Sequence, residues 1–314
     1  FGIVTGSWLL LALVGMLPYL LSGVTLSVTD AFFETMSGFT TTGATAFESL
    51  EFMPAGIHVW RSMTQWLGGM GVVVLSIALL PMLGVGGYRL MKAESPGGVA
   101  YERERPRITD AAKELWILYL VFTGILVGLL KFLGMSWLDA LCHAFTTLAT
   151  GGFSTHTESI AYFSGPIQWT IMVFMLIGGI NFSMYSYFIR GHLRSILANV
   201  ELRVFLMLLA SIITCGVVVI PTGEGFEPLV RGITFQVVSM GTSTGYVTTD
   251  YDAWPPVMRL GIVVLMCVGG CMGSTSGDMK VTRVIVFSKS IGRELHRMIY
   301  PRAVRPLRLG KRVL

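Results

Sequence analysis

Six apolar stretches constrain this chain more than any other feature. Five cover residues 1–21, 59–83, 115–133, 167–189 and 204–220, and the sixth begins near residue 257. A helix needs about 20 apolar residues to cross the hydrocarbon of a bilayer, and a backbone in lipid must satisfy its own hydrogen bonds. Only 13% of the 314 residues are charged, whereas a soluble domain has about 25%. We therefore predict an all-α integral membrane protein.

The Lys and Arg residues predict the orientation of these spans. Of 23 such residues, 19 lie in segments 89–114 and 190–203 and from residue 280 onward, which the positive-inside rule places in the cytoplasm. The alternate connections are then outside, and they hold ten acidic residues that could attract cations or simply be solvated. These are Asp30, Glu34, Glu48, Glu51, Asp139, Glu158, Glu224, Glu227, Asp250 and Asp252.

The sixth apolar stretch is interrupted by the run VGGCMGSTSGDMK, residues 268–280. Glycine and hydroxyl residues at this density weaken a helix, so we predict a span that is broken within the membrane. Asp278 and Lys280, near the end of the run, are charges at the predicted inner mouth. The residues of the predicted intramembrane loop are Gly269, Gly270, Gly273, Ser274, Thr275, Ser276 and Gly277.

Three outer connections share one design, which indicates a threefold internal repeat. A short amphipathic stretch leads in each case into a tract rich in Thr, Ser and Gly. We call FTTTGAT (39–45), LATGGFS (148–154) and TSTGYVT (242–248) the first, second and third tracts. Aligned on Gly43, Gly151 and Gly245, they are followed 25, 27 and 24 residues later by the pairs Gly68-Gly69, Gly178-Gly179 and Gly269-Gly270. The predicted unit is helix, re-entrant segment, helix.

Such a unit is suited to binding a cation. A short helix that ends halfway across the membrane directs its partly negative carbonyl end inward, and a Thr-Gly tract can present carbonyl oxygens to an ion. Oxygen ligands favour alkali and alkaline-earth cations, and the lack of carboxylates inside the tracts favours a monovalent ion. The alternative interpretation is three polar surface loops of a helical membrane protein.

Other classes of function are less consistent with the sequence. The four cysteines and five histidines show no metal-ligand spacing, the run GSTSGDMK lacks the order of a phosphate-binding loop, and we find no catalytic constellation, so we predict that the chain is not an enzyme. An ion-coupled secondary transporter with broken helices remains the alternative function. It would be expected to have inverted repeats, whereas these three share one orientation.

The three tracts, together with the GGCMGST part of the interrupted run, resemble the Trk/Ktr/HKT superfamily of potassium transporters, most closely its bacterial TrkH branch. The resemblance implies four helix–pore loop–helix repeats in a potassium-channel-like, pseudo-fourfold arrangement, of which three are present here. It also implies potassium uptake across the bacterial plasma (inner) membrane by a multi-pass homodimer. The implied partners are membrane lipid and a cytosolic, TrkA-like nucleotide-binding regulatory subunit, with no nucleic acid. Potassium is the implied ion, and no organic cofactor is expected on this chain.

The resemblance also implies a set of site residues. The loop 269–277 corresponds to the family's gate, and Gly43 corresponds to a position where serine is associated with sodium permeation. The residues that correspond to the potassium-coordinating positions are Thr41, Thr42, Gly43, Ala149, Thr150, Gly151, Ser243, Thr244 and Gly245. Whether transport is passive or coupled to protons or sodium stays open.

The predicted organisation follows the repeats. It consists of a first repeat (1–88), a cytoplasmic loop (89–114), a second repeat (115–190), a cytoplasmic loop (191–203), a third repeat (204–287) and a basic cytoplasmic segment (288–314). A chain with three of four repeats, and with no Met at position 1, is expected to be a fragment of a longer gene product.

Overall fold

The computed structural model describes residues 2–79, 108–189, 191–192, 196, 198–221, 225–300, 308–309 and 312–313. Residues 89–107 of the first predicted cytoplasmic loop lie outside this description, and residues 108–114 of that loop are helical. Most of the predicted basic segment beyond residue 300 also lies outside it.

The described structure is almost entirely helical. Two pairs of two-residue strands, Val268–Gly269 with Met279–Lys280 (parallel) and Arg308–Leu309 with Arg312–Val313 (antiparallel), add little sheet. The helices are α1 (Gly2–Gly15), α2 (Leu17–Leu21), α3 (Val28–Phe39), α4 (Ala55–Leu79), α5 (Ile108–Phe132), α6 (Trp137–Leu148), α7 (Gly165–Gly179), α8 (Phe182–Ile189), α9 (Val200–Val219), α10 (Phe226–Gly241), α11 (Pro256–Cys267) and α12 (Val281–Ile299).

Several of these helices have the length or apolarity of membrane segments. Among the described residues, Lys113–Phe132 and Val200–Val219 are long and apolar enough to cross a bilayer, and Thr5–Leu21, Gly165–Gly179 and Pro256–Cys267 are shorter apolar helices. Large apolar side chains on these helices are exposed, as Leu129, Met207 and Leu260 illustrate, which fits a surface that faces lipid.

One predicted span is interrupted. The sequence predicts a continuous helix over 167–189, whereas α7 ends at Gly179 and α8 begins at Phe182. The carbonyl groups at the end of α7 are used by another segment: Gly178 and Gly179 accept hydrogen bonds from the N–H groups of Thr275 and Cys271. Because these long-range bonds replace the next turn of the helix, α7 can end within the fold without unpaired carbonyls.

Three units share one arrangement, each with a short helix of 12 to 16 residues before its tract and a second helix after it. The short helices are α3, α6 and α10, and the helices that follow are α4, α7 and α11. The short helix α6 packs against α4, α5 and α7, and α10 packs against α7, α9 and α11. Each of these two short helices is therefore surrounded by helices of its own unit and of the preceding unit.

The paired glycines allow this close packing in the first two units. A side chain on Gly68 would overlap the carbonyl oxygen of Phe39 at the end of α3, and one on Gly69 would press on Ala149 of the next unit. Gly178 lies in the same way against Leu148 and Thr150, and Gly179 lies against Thr242. In the third unit, Gly269 and Gly270 are themselves part of segment 268–280, which we call the break. There Gly269 lies against Gly277, and Gly270 lies against Ser276 and the carbonyl oxygen of Gly179 on α7.

We predict that Gly68→Ala destabilises the full-length protein by about 1–3 kcal/mol, because the added methyl group has no space next to the backbone of Phe39. Gly71→Ala is the matched control, since it lies on the same helix with nothing within 4 Å of an added methyl group. Melting of the detergent-solubilised protein measures both variants. Equal melting temperatures for the two would contradict the packing role of Gly68.

Candidate functional site

Each tract begins where a short helix ends in the same hydrogen-bonded turn. In the first tract, the N–H of Thr42 donates to the carbonyl of Ser37 (2.9 Å) and the N–H of Thr41 donates to Gly38 (3.0 Å). These two bonds form a Schellman motif, which pairs carbonyls that a helix end leaves free. The corresponding bonds join Gly151 to Thr146, Thr150 to Thr147, Thr244 to Ser239 and Ser243 to Met240.

The left-handed position of each motif is occupied by a hydroxyl residue. A Schellman motif usually has glycine there, but Thr41, Thr150 and Ser243 have φ values of 54°, 49° and 53°. A β-branched residue in this region is strained, at a cost of about 1–3 kcal/mol. Strain of this kind is typical of functional sites, so the hydroxyl groups at these positions are candidates for a role that glycine could not fill.

The backbone φ angles shift the alignment of the second tract with the other two by one residue. The second left-handed residue of each tract is Gly43 (φ 77°), Gly152 (φ 78°) or Gly245 (φ 83°). Gly152, and not Gly151, is therefore the counterpart of Gly43, and the counterpart of Thr41 is Thr150. The predicted equivalence of Ala149 with Thr41 is wrong. LATGGFS contains two adjacent glycines, and composition alone does not distinguish the one with positive φ.

With this register, neighbouring tracts meet through the same contact. A side chain on Gly43 would overlap the carbonyl oxygen of Gly151, and a side chain on Gly152 would overlap that of Thr244. Gly151 and Thr244 are equivalent residues, each one position before the second left-handed glycine. The contact between the first and second tracts is therefore repeated between the second and third tracts. As a result, the predicted site residues of all three tracts lie together.

Three buried polar side chains, none of them predicted as a site residue, tie the short helices to the tracts. Glu34, His143 and Gln236 lie nine residues before Gly43, Gly152 and Gly245, and all three are fully buried. Each one hydrogen-bonds the chain two or three residues after its glycine. The bonds join Glu34 to Thr45 (3.1 Å) and Ala46 (2.9 Å), His143 to Ser154 (3.0 Å) and Gln236 to Thr248 (3.5 Å). The constant spacing of nine residues between each of these side chains and its glycine could have identified them from the sequence.

Glu34 was predicted to lie among the outer acids, but it forms a buried ion pair. Its carboxylate lies 2.6 Å from Nε of Arg61 on α4, and both side chains are inaccessible to solvent. Arg61 also donates to the carbonyl of Ser154 (3.0 Å) and covers the ring of Phe153 at 4.0 Å. Burial of a charge is tolerated when it is paired and hydrogen-bonded, so this pair joins the first unit to the end of the second tract.

The second and third tracts have further attachments to the preceding unit. Gln65 on α4 donates from Nε2 to the carbonyl of Gly151 (2.7 Å) and accepts from the N–H of Phe153 (3.1 Å). The hydroxyl of Tyr246 in the third tract hydrogen-bonds Thr146 of α6. These bonds fix the tracts laterally, and Gly151 keeps a second lone pair for another donor or an ion.

The break lies directly against the left-handed residues of two tracts. The hydroxyl of Thr150 lies 3.3 Å from the hydroxyl of Thr275, and the hydroxyl of Ser243 accepts from the N–H of Gly277 (2.7 Å) and lies 3.2 Å from Ser276 Oγ. Thr275 also donates to the carbonyl of Leu148 at 3.0 Å. The predicted loop residues are thus brought together with the predicted tract residues.

The two charged residues predicted at the inner mouth, Asp278 and Lys280, differ in their hydrogen bonding and exposure. Lys280 Nζ donates to the carbonyl of Ser276 and lies 3.4 Å from Ser274 Oγ, so this ammonium group holds the inner side of the break. Asp278 has an exposed side chain and a left-handed backbone, with φ of 60°. Only Lys280 is therefore built into the hydrogen bonding of the break by these contacts.

On the opposite side, Glu51 joins the outer connections of the first two units. Its carboxylate accepts from the N–H (2.9 Å) and the hydroxyl (2.8 Å) of Thr157. The backbone N–H of Thr157 is the main cause that lowers the pKa of Glu51 to about 2. Because the pKa is lowered, this link contributes to stability at neutral pH and is lost as the pH falls through about 2.

Comparisons with known proteins agree with this arrangement. The profile of the TrkH family, described as cation transport proteins, matches residues 1–221 and 228–314.

The chain belongs to the TrkH family.

Individual relatives match almost the whole chain. The Trk system potassium uptake protein TrkH of Escherichia coli K12 is 40% identical over 100% of this chain and 66% of its own length. The TrkH protein of Halomonas elongata is 42% identical over 97% of this chain and 64% of its own length. The crystal structure of the potassium transporter TrkH from Vibrio parahaemolyticus superimposes with a TM-score of 0.85 and 36% identity, over 99% of this chain and 65% of that one. The chain thus spans about two thirds of the length of these TrkH proteins.

Several sequence predictions are confirmed by this family membership. The resemblance to the Trk superfamily and the all-α membrane fold are correct. TrkH proteins are transport proteins located in a membrane, so the prediction that the chain is not an enzyme is also confirmed.

We predict that Arg61→Met destabilises the full-length protein by about 3–5 kcal/mol, because it leaves the carboxylate of Glu34 buried without its partner. The double variant Glu34→Gln/Arg61→Met removes both charges and is expected to recover much of this loss. Arg297→Met is the control, since its ion pair with Glu294 is exposed and worth about 0–1 kcal/mol. If Arg61→Met melts like Arg297→Met, the buried pair is not a structural link.

Proposed function

We propose that this chain forms part of a path for potassium uptake across the bacterial plasma membrane. In this proposal, backbone carbonyl oxygens of the three tracts replace the hydration shell of the ion. The observation that carries the proposal is the repeated contact between adjacent tracts, in which Gly43 meets Gly151 and Gly152 meets Thr244. The names of the relatives, potassium uptake proteins in each case, support potassium as the ion.

The corrected register changes the proposed ligands in the second tract. The proposed coordinating residues of the first and third tracts remain Thr41, Thr42 and Gly43, and Ser243, Thr244 and Gly245. In the second tract, the equivalent residues are Thr150, Gly151 and Gly152, whereas Ala149 is the last residue before the left-handed turn. Carbonyl and hydroxyl oxygens without carboxylates suit a monovalent cation better than a divalent one.

The break is proposed to gate this path. It lies against the hydroxyl groups of Thr150 and Ser243, at the positions where the short helices α6 and α10 end. An ion that leaves the tracts toward the inner side would meet this segment next. The glycines of the break, among them Gly273 with φ of 78°, allow backbone conformations that other residues resist.

Further parts of the transporter are proposed from the family resemblance. A fourth repeat would complete the ring of tracts, since a side chain built on Gly245 would have no atom of the described residues within 4 Å. We propose a homodimer in the inner membrane, regulated by a cytosolic, TrkA-like nucleotide-binding subunit. The term Trk system in the names of the relatives supports an associated subunit.

The test of the selective path is Gly43→Ser in the full-length protein. A serine must adopt φ of 77° and place its side chain against the Gly151 carbonyl, so we expect the ratio of sodium to potassium uptake to rise by about tenfold as the oxygen positions change. Uptake into cells that lack other potassium transporters provides the measurement.

Gly23→Ser is the matched control for this variant. Gly23 has φ of 72° but nothing within 4 Å of an added side chain, so it has the same backbone cost without the contact between tracts. Its selectivity should equal that of the wild type. An unchanged sodium-to-potassium ratio in Gly43→Ser would contradict the proposed path.

Deletion of residues 273–277 tests the gate. The deletion removes the segment that contacts Thr150 and Ser243, so potassium flux without the regulatory subunit is expected to rise several-fold. Liposomes that contain the purified full-length variant report this flux directly. A lower flux from protein that is correctly inserted would argue against a gate at this position.

A further inference from the structure

The break is hydrogen-bonded to an acidic residue that belongs to neither the tracts nor the break. Glu201 lies in the first turn of α9, where the side chain of Asn199 caps the helix by accepting from the N–H of Leu202 at 3.1 Å. Glu201 is 8% exposed. A carboxylate at this depth needs hydrogen-bond donors, because an unpaired buried charge is costly.

Its donors are two backbone groups, one within the break and one just after it. Oε1 of Glu201 accepts from the N–H of Met272 at 2.7 Å and lies 3.3 Å from the N–H of Thr282. Met272 belongs to the break and Thr282 to the first turn of α12. One carboxylate therefore connects the break to the helix that follows it, across ten residues of chain.

The electrostatics of the site strengthen this connection. The N-termini of α9 and α12 both lie at Glu201, and the partly positive end of a helix stabilises a negative charge. The N-cap of α12, Lys280, makes no side-chain cap, so Glu201 supplies from another helix an acceptor for one of the free N–H groups of α12. Hydrogen bonds to a charged acceptor are stronger than neutral ones.

We propose that Glu201 is a positioning residue that latches the break in its closed position. Displacement of the break would separate Met272 from the carboxylate, so the strength of this bond sets the fraction of molecules in which the break is displaced. The contacts of Glu201 with Met272 and Thr282 hold the break in position, whereas an effect of Glu201 on flux rests on the proposed role of the break as the gate.

The experiment compares Glu201→Gln with Glu227→Gln in the full-length protein. Both residues are the second residue of a helix, α9 and α10 respectively, but Glu227 is exposed and pairs with Arg231. The two substitutions therefore have the same chemistry and helix position, and only the first removes the charge that holds the break. Glu201→Asp retains the charge on a shorter side chain.

Two readouts separate the latch from the gate. The first is the rate at which N-ethylmaleimide modifies Cys271 in isolated membranes, followed by peptide mass spectrometry, since this thiol lies in the break and is fully buried. We expect a rise of about tenfold in Glu201→Gln, because charge-assisted hydrogen bonds are lost. A smaller rise is expected in Glu201→Asp, and none in Glu227→Gln. The second readout is potassium uptake, where the maximal rate should rise while the half-saturating concentration stays constant.

The outcomes have distinct meanings. An unchanged rate for Cys271 in Glu201→Gln, or an equal rise in Glu227→Gln, overturns the latch. A rise for Cys271 with unchanged potassium uptake supports the latch and contradicts the role of the break as the gate. If Glu201→Gln does not reach the membrane, Glu201→Asp tests the proposal instead. A wild-type rate of Cys271 modification in that variant also overturns the proposal.

Discussion

A chain that leaves the helical conformation in apolar surroundings must find new partners for its backbone polar groups, and this constraint determines much of the structure. The helix ends before the three tracts satisfy it with Schellman motifs. The end of α7 satisfies it by giving the carbonyls of Gly178 and Gly179 to the break. Irregular backbone in one place thus supplies the partners for irregular backbone in another.

The same constraint explains why the tracts are surrounded by buried polar side chains. Glu34, His143 and Gln236 reach the end of each tract from the short helix before it, and Gln65 reaches the second tract from a neighbouring unit. In the proposed path, a carbonyl that binds an ion must keep its place when the ion leaves, so lateral support has to come from the protein. These hydrogen bonds provide that support without occupying every oxygen of the tracts.

Much of the fold could be predicted from sequence, because the signals are periodic or compositional. Apolar length predicts the membrane helices, and the three tracts predict the repeat. The register of the second tract could not be predicted, since LATGGFS contains two glycines and the choice depends on φ. The inward position of Glu34 depends on Arg61, 27 residues away. No sequence pattern distinguishes Glu201, because its contact depends on Met272, 71 residues later.

The strained hydroxyl residues have a consequence for engineering this protein. Glycine at position 41, 150 or 243 would relieve the unfavourable backbone conformation, so a search for thermostable variants would tend to select it. The stabilised protein would lack the hydroxyl groups that the break contacts at Thr150 and Ser243. Thermostability and these contacts with the break therefore compete at positions 150 and 243, and crystallisation mutants chosen by melting temperature alone would tend to lose the contacts.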